Sequence, residues 1–174
     1  MDDAALITGF ISAIAAVADE YDEYGQPVAA PILIKTPQAS LDELYRLIPG
    51  RLPRLFERLL LSYRWPKADL ETLEVLPNPP GPGLEGFAQQ PFKDEHLAAM
   101  LLPARLVQFA RAGGGRYDPV CFDLRTAGGT DCPIVRIDHE EILCNFRIGP
   151  ITVLAPSFRA LVADLGRSRS IANT

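Results

Sequence analysis

Apolar residues recur at three- and four-residue intervals near the start of the chain, where Leu6, Ile7, Phe10, Ile11, Ile14 and Val17 share one side of a predicted helix. Asp2 or Asp3 can cap its start. Gly25 followed by Pro27 is expected to end it, because glycine accepts the left-handed conformation after a helix and proline cannot continue one. Beyond a proline-interrupted apolar stretch, Val28 to Ile34, the spacing of Ser40 and Glu43 predicts a capping box that opens a short helix through Leu47, closed by Pro49 and Gly50. Pro53 suits the first turn of a third helix, in which Leu55, Phe56, Leu59, Leu60 and Tyr63 keep helical spacing until Pro66. Leu70 to Leu76 fits neither period cleanly and is read as a strand. The run from Pro77 to Gly83 can hold neither helix nor central strand.

The period changes in the second half. A short helix from about Glu95 to Leu102, capped by Asp94 and ended by Pro103, leads into short strands separated by glycine-rich turns. Val120, Phe122 and Leu124 alternate with Cys121, Asp123 and Arg125, the two-residue period of a sheet with differently exposed faces. Gly128 and Gly129 supply a turn, and Pro133 to Asp138 returns with Val135 and Ile137 on one face. Ile142 to Ile148 is predicted to add another antiparallel strand before Gly149 and Pro150. Pro156 begins a last helix with Phe158, Leu161, Val162 and Leu165 inward and Gly166 at its end; the polar tail from Arg167 to Thr174 is expected to be mobile. Helices first, strands together, then one closing helix predict an α+β fold, with helices packed against a mainly antiparallel sheet.

Composition supports this picture. A chain of 174 residues has the size of one domain, and at that length folding buries roughly 70% of the unfolded surface without help from a metal or disulfide. Hydrophobic residues at 48% and charged residues at 22% exclude a disordered chain. Taking 22 acidic from 17 basic residues leaves a net charge of -5, which argues against a nonspecific grip on nucleic acid and favours basic partners. Asp19, Glu20, Asp22 and Glu23 form an acidic cluster, and Arg51, Arg54, Arg58 and Arg64 a basic stretch; both are read as solvated helix surface. Cys121, Cys132 and Cys144 cannot all pair and show no C-x-x-C spacing, which fits a reducing compartment. The apolar stretch from Ala4 to Ala18 follows Asp2 and Asp3 rather than a positive region, and it falls short of the roughly 20 residues that span a bilayer. A cytoplasmic protein with no membrane anchor is expected.

Candidate chemistry is sparse. Gly113, Gly114 and Gly115 are not followed by Lys-Ser or Lys-Thr, and the next element reads as a strand, so a tight turn is expected rather than a phosphate loop. Asp138, His139, Glu140 and Glu141 are the densest titratable group. Adjacent strand residues point to opposite faces, so Asp138 and His139 are expected to diverge unless the strand ends between them. The other histidine, His96, is on a different element. Ser157 lacks a nucleophile-elbow context and reads as first-turn polarity, while Cys121 reads as strand packing. Tyr63, Arg64 and Trp65 have the composition of a binding hot spot, but packing at a helix end is the preferred reading.

A resemblance emerges from the order of these segments. Leu52-Pro53 with Phe56 and Leu59, then Gly113 to Gly115, then Tyr117-Asp118-Pro119-Val120-Cys121-Phe122-Asp123-Leu124, then Pro133 to Glu140, and finally Ala155-Pro156-Ser157-Phe158 resemble the SUKH superfamily. That group includes fungal cell-wall-assembly regulators and many bacterial proteins. The resemblance runs from about Ser40 to Leu165 and rests on order and spacing. It implies one domain over residues 1–174, with helices on a mainly antiparallel sheet, a helical extension over about residues 1–25 and a role in protein binding. Many bacterial members are similar to immunity proteins that neutralise a toxin from a neighbouring cell, and no catalytic residues travel with the family. One departure is Ser62-Tyr63-Arg64-Trp65-Pro66, where members often carry glycine.

The expectation is therefore a non-enzymatic protein with no cofactor and no metal, which binds another protein such as a basic toxin domain through Asp118, Asp138, His139, Glu140 and Glu141. The alternatives are a scaffold regulating envelope assembly, and a metal-dependent hydrolase centred on His139 with Asp138 and Glu140.

Overall fold

Asp2 starts the first helix as the sequence predicts: its Oδ1 accepts the Ala5 N–H at 2.7 Å, opening α1 (Asp3–Ala15). Helix α1 buries Leu6, Ile7, Phe10, Ala13 and Ile14. The computed structural model describes residues 2–17, 30–126 and 129–172, with 166–172 described in backbone only. The helix ends at Ala15, well before the expected stop at Gly25 and Pro27; those two residues, the acidic cluster from Asp19 to Glu23 and the turn residue Gly128 lie outside the described residues.

A two-stranded ribbon follows, β1 (Ile32–Leu33) paired antiparallel with β2 (Tyr63–Arg64). Between them run α2 (Ala39–Leu44) and α3 (Arg54–Ser62). The expected capping box does not form. The Ser40 N–H is already bonded to the Pro37 carbonyl at 3.1 Å, so Ser40 sits inside the helix and is buried. Arg64 also departs from expectation. The chain turns into β2 at Tyr63 and carries the guanidinium inside, where it donates to Thr36 Oγ1 at 2.8 Å and to the carbonyls of Gly83 and Leu60 at 2.7 and 2.9 Å. Trp65 joins the core, its Nε1–H donating to the Leu76 carbonyl at 3.0 Å.

The main sheet has six strands in chain order, each antiparallel to its neighbours: β3 (Ala68–Asp69), β4 (Leu73–Val75), β5 (Leu106–Ala112), β6 (Pro119–Asp123), β7 (Ile134–Ile137) and β8 (Ile151–Ala155). Helices α4 (Glu85–Ala88) and α5 (Glu95–Leu101), with a 3-10 turn at Gln90–Phe92, connect β4 to β5. Asp94 caps α5, as expected, by accepting the N–H groups of His96 and Leu97. Gly114 and Gly115, at φ +70° and +74°, make the turn into β6. Gly113 must be glycine for another reason, since a Cβ there would lie 2.1 Å from the Glu71 carbonyl oxygen.

Both faces of the sheet are covered, which corrects the reading of β6. All five of its residues are buried, Cys121 and Asp123 as well as Val120 and Phe122. One face packs on α1, α3 and α7 (Phe158–Ala172) around an aromatic cluster. The Phe56 ring lies 4.9 to 6.2 Å from the rings of Phe122, Phe158, Phe87, Phe109 and Trp65. The other face is aliphatic and smaller: Leu106, Cys121, Val135 and Ile137 meet Leu97 and Leu101 of α5 and Ile142 of α6 (His139–Asn145).

Helix α6 stands where part of a strand, Ile142 to Ile148, is expected. The Asp138 carboxylate supplies the reason by accepting the Glu140 and Glu141 N–H groups at 2.9 and 3.2 Å, which nucleates a helical turn. The helix ends at Phe146, in the left-handed region at φ 50°, and the last strand forms only after Gly149 and Pro150. Helix α7 runs through Gly166 rather than stopping there. Its start is held by Asp131, whose carboxylate accepts the N–H groups of Phe158 and Arg159, and by Ser157 Oγ, which accepts that of Ala160 at 3.0 Å. Among the described residues no helix is long and apolar enough to cross a membrane.

Candidate functional site

Strand β7 ends at Ile137, before both Asp138 and His139, so neither is held to the alternation that would make them diverge. Both side chains therefore leave from the start of α6, and Asp118, just before β6, joins them. One ligand atom each from Asp118, Asp138 and His139 fall within 4.8 Å of one another. Asp118 Oδ1 lies 2.8 Å from His139 Nδ1 and accepts the His139 backbone N–H at 3.3 Å, while its Oδ2 is 3.8 Å from Arg136 Nε. Burial pushes the Asp118 carboxyl up, but the hydrogen bonds and charge of His139, with Arg136, hold it below the usual carboxylate range.

The other expected residues separate. Glu141 turns to Arg147, whose Nε donates to it at 2.6 Å, and Glu140 is exposed. His96 stays on the first turn of α5 and does not join the trio. Beside His139 lies an open depression of about 210 Å³ lined by Asp94, Leu97, Arg111, Tyr117, His139 and Leu143. The Tyr117 and His139 ring centres are 6.0 Å apart. Arg111 and Tyr117 were missed because they lie on or beside other strands, and only antiparallel pairing brings them to α6. No serine, threonine or cysteine lines this depression. Burial also pushes the Cys121 thiol far up and that of Cys132 to about 12, so neither supplies a ready thiolate.

A larger groove of about 560 Å³ opens between α2 and α4. Its floor is apolar, formed by Leu44, Leu47, Leu84, Ala88 and Phe92, and Glu43, Glu85 and Lys93 stand around it. Leu47 is 56% exposed and Phe92 36%. Sequence reasoning missed this groove because its walls come from two segments some forty residues apart. The available signal was Leu47, an apolar residue left over after the buried face of α2 is assigned.

These features define an α+β protein with helices on both faces of an antiparallel sheet, an apolar groove between α2 and α4 and a polar trio at the start of α6. No family model, curated protein or solved structure matches the chain.

Proposed function

We propose that this chain is a non-enzymatic protein-binding domain of the immunity type implied by the SUKH resemblance, and that the groove between α2 and α4 receives its partner. The observation that carries the reading is the pairing of an open apolar floor, with Leu47 and Phe92 exposed, and the carboxylates of Glu43 and Glu85. Large apolar side chains left facing solvent in a concave surface are anchors for another protein. The occupant is a helix of a basic toxin domain that sets an apolar side chain on Leu44 and Leu47 and places Lys or Arg beside Glu43 and Glu85. Lys93 favours an acidic residue at the far end of that helix. The net charge of -5 speeds approach of a basic partner.

The test is binding to the product of any toxin gene found adjacent to the gene for this chain. Leu47→Asp should weaken binding at least about tenfold, the loss expected of a central anchor, with the unfolding midpoint unchanged because the side chain is exposed. Glu140→Lys with Glu141→Lys tests the acidic face separately. Unchanged affinity on Leu47→Asp rules out the groove, and failure to bind or neutralise any adjacent toxin rules out the immunity role.

A metal-dependent hydrolase is the second reading, favoured by the trio of Asp118, Asp138 and His139. Competing with it, Asp138 Oδ1 already accepts two backbone N–H groups and Arg136 stands beside Asp118. Zinc titration by calorimetry separates the readings. Binding at one equivalent, lost on His139→Ala, favours the hydrolase; no heat of binding removes it.

A further inference from the structure

We propose that β8 is a self-association edge through which two copies of the chain join their sheets. This rests on a different observation from the groove and does not depend on the partner proposed for it.

The two edges of the six-stranded sheet are unlike. Strand β3 is two residues long, carries Asp69, and follows Pro66 and the exposed Lys67; a short, charged, proline-flanked edge resists further pairing. Strand β8 has five residues, Ile-Thr-Val-Leu-Ala, with no charge among them, and among the described residues only β7 pairs with it. Thr152, Val153 and Leu154 are all exposed, Val153 at 63% and Leu154 at 41%. An open edge strand presents unpaired backbone groups at alternate residues.

A second copy suits this edge because the strand can pair with itself about a two-fold axis. The charge of -5 on each copy opposes association, so a joint between copies needs a segment where no like charges meet, and β8 has no charged residue. A two-fold axis at Val153 sets Val153 against itself, Thr152 against Leu154 and Ile151 against Ala155, with no like charges opposed. Pro150 and Pro156 then face each other beyond the paired residues, where neither has to donate to the ladder. Arg136, opposite Thr152 on β7, lies beside Asp118, and Arg147 and Arg159 are paired with Glu141 and Asp3. The register shift against β7 at Leu154 bends the strand there. The ladder is accordingly short, and the dimer should dissociate in the micromolar range or above.

Sedimentation velocity over about three decades of concentration, starting in the low micromolar range, should show the wild-type chain passing from monomer to dimer. Val153→Lys, which opposes lysine to lysine at the axis, should weaken association at least tenfold and leave the unfolding midpoint of the monomer unchanged. A second variant tests the register without relying on a charge. In a Cys144→Ser background, Val153→Cys should form an intermolecular disulfide under mild oxidation, because directly opposed Cβ atoms, about 4.5–5.5 Å apart, need only a small approach to reach the roughly 3.5–4.5 Å of a disulfide. Leu154→Cys in the same background should not. A wild-type chain that stays monomeric throughout overturns the proposal, as does a dimer untouched by Val153→Lys. Cross-linking that fails to prefer position 153 overturns the register.

Discussion

The two faces of the sheet are built from different material. On one, the ring of Phe56 packs among five other aromatic rings, from Trp65 just after β2 and from β5, β6, α4 and α7, so elements far apart in sequence lock around a single side chain. On the other, seven buried residues, none aromatic, join the strands to α5 and α6, each of seven residues. Helices that short do not hold themselves in water. They depend on their caps, Asp94 and Asp138, and on the few apolar side chains they press onto the sheet. The aromatic face therefore carries most of the stability. The aliphatic face carries the polar trio and can be altered at smaller cost.

The strongest test of this contrast is Phe56→Ala. Removing a fully buried ring from the centre of the cluster should destabilise the fold by about 3–5 kcal/mol in urea or guanidinium unfolding. Ile142→Ala, the equivalent truncation on the other face, should cost about 2–3 kcal/mol, the lower part of the range for aliphatic truncations. Equal losses at the two sites would show that the faces share the load and would break the comparison.

The same contrast explains what the sequence disclosed. Helices α1, α3 and α5 were legible because each presents one apolar side and has a clear start signal, such as Asp2 or Asp94. Strand β5 gave no period because Leu106 to Ala110 are buried on both sides of the sheet, and a strand covered on both faces does not alternate. Helix α6 was hidden because its apolar residues are few and its cap, Asp138, is also a plausible strand end. At the candidate site, His139 and its neighbours stood out as titratable residues. Their meeting with Asp118 depends on the pairing of β6 with β7, a contact between residues 21 apart that no local pattern reveals.

If caps hold the second face, Asp138→Ala should act locally. It removes the acceptor for two backbone N–H groups and should cost about 0.5–2 kcal/mol. Hydrogen exchange should rise in α6 and stay unchanged in α3 and β5. Uniformly faster exchange would mean that α6 does not open on its own, and the two faces would then have to be treated as one cooperative unit.

The smallest effect expected is a dependence on acid, and its sign follows from the trio. In the folded protein Asp118 is held below the usual carboxylate range although burial pushes it the other way, because the His139 ring and backbone N–H and the charge of Arg136 favour the ionised form. Its unfolded value is about 3.9, so the ionised carboxylate stabilises the fold above roughly pH 4, and that contribution disappears as pH falls through the lower folded value. Asp123, held down first by its hydrogen bonds to Arg125, behaves in the same direction. Thermal unfolding of wild type and Asp118→Asn should therefore differ most at pH 7 and draw together as pH falls below about 4, while Asp123 continues to make both proteins acid-sensitive. A gap that persists unchanged to pH 3 would mean that Asp118 acts through the shape of its hydrogen bonds rather than its charge. The trio would then be a structural joint between β6 and α6, with nothing left for a metal or a proton to do there.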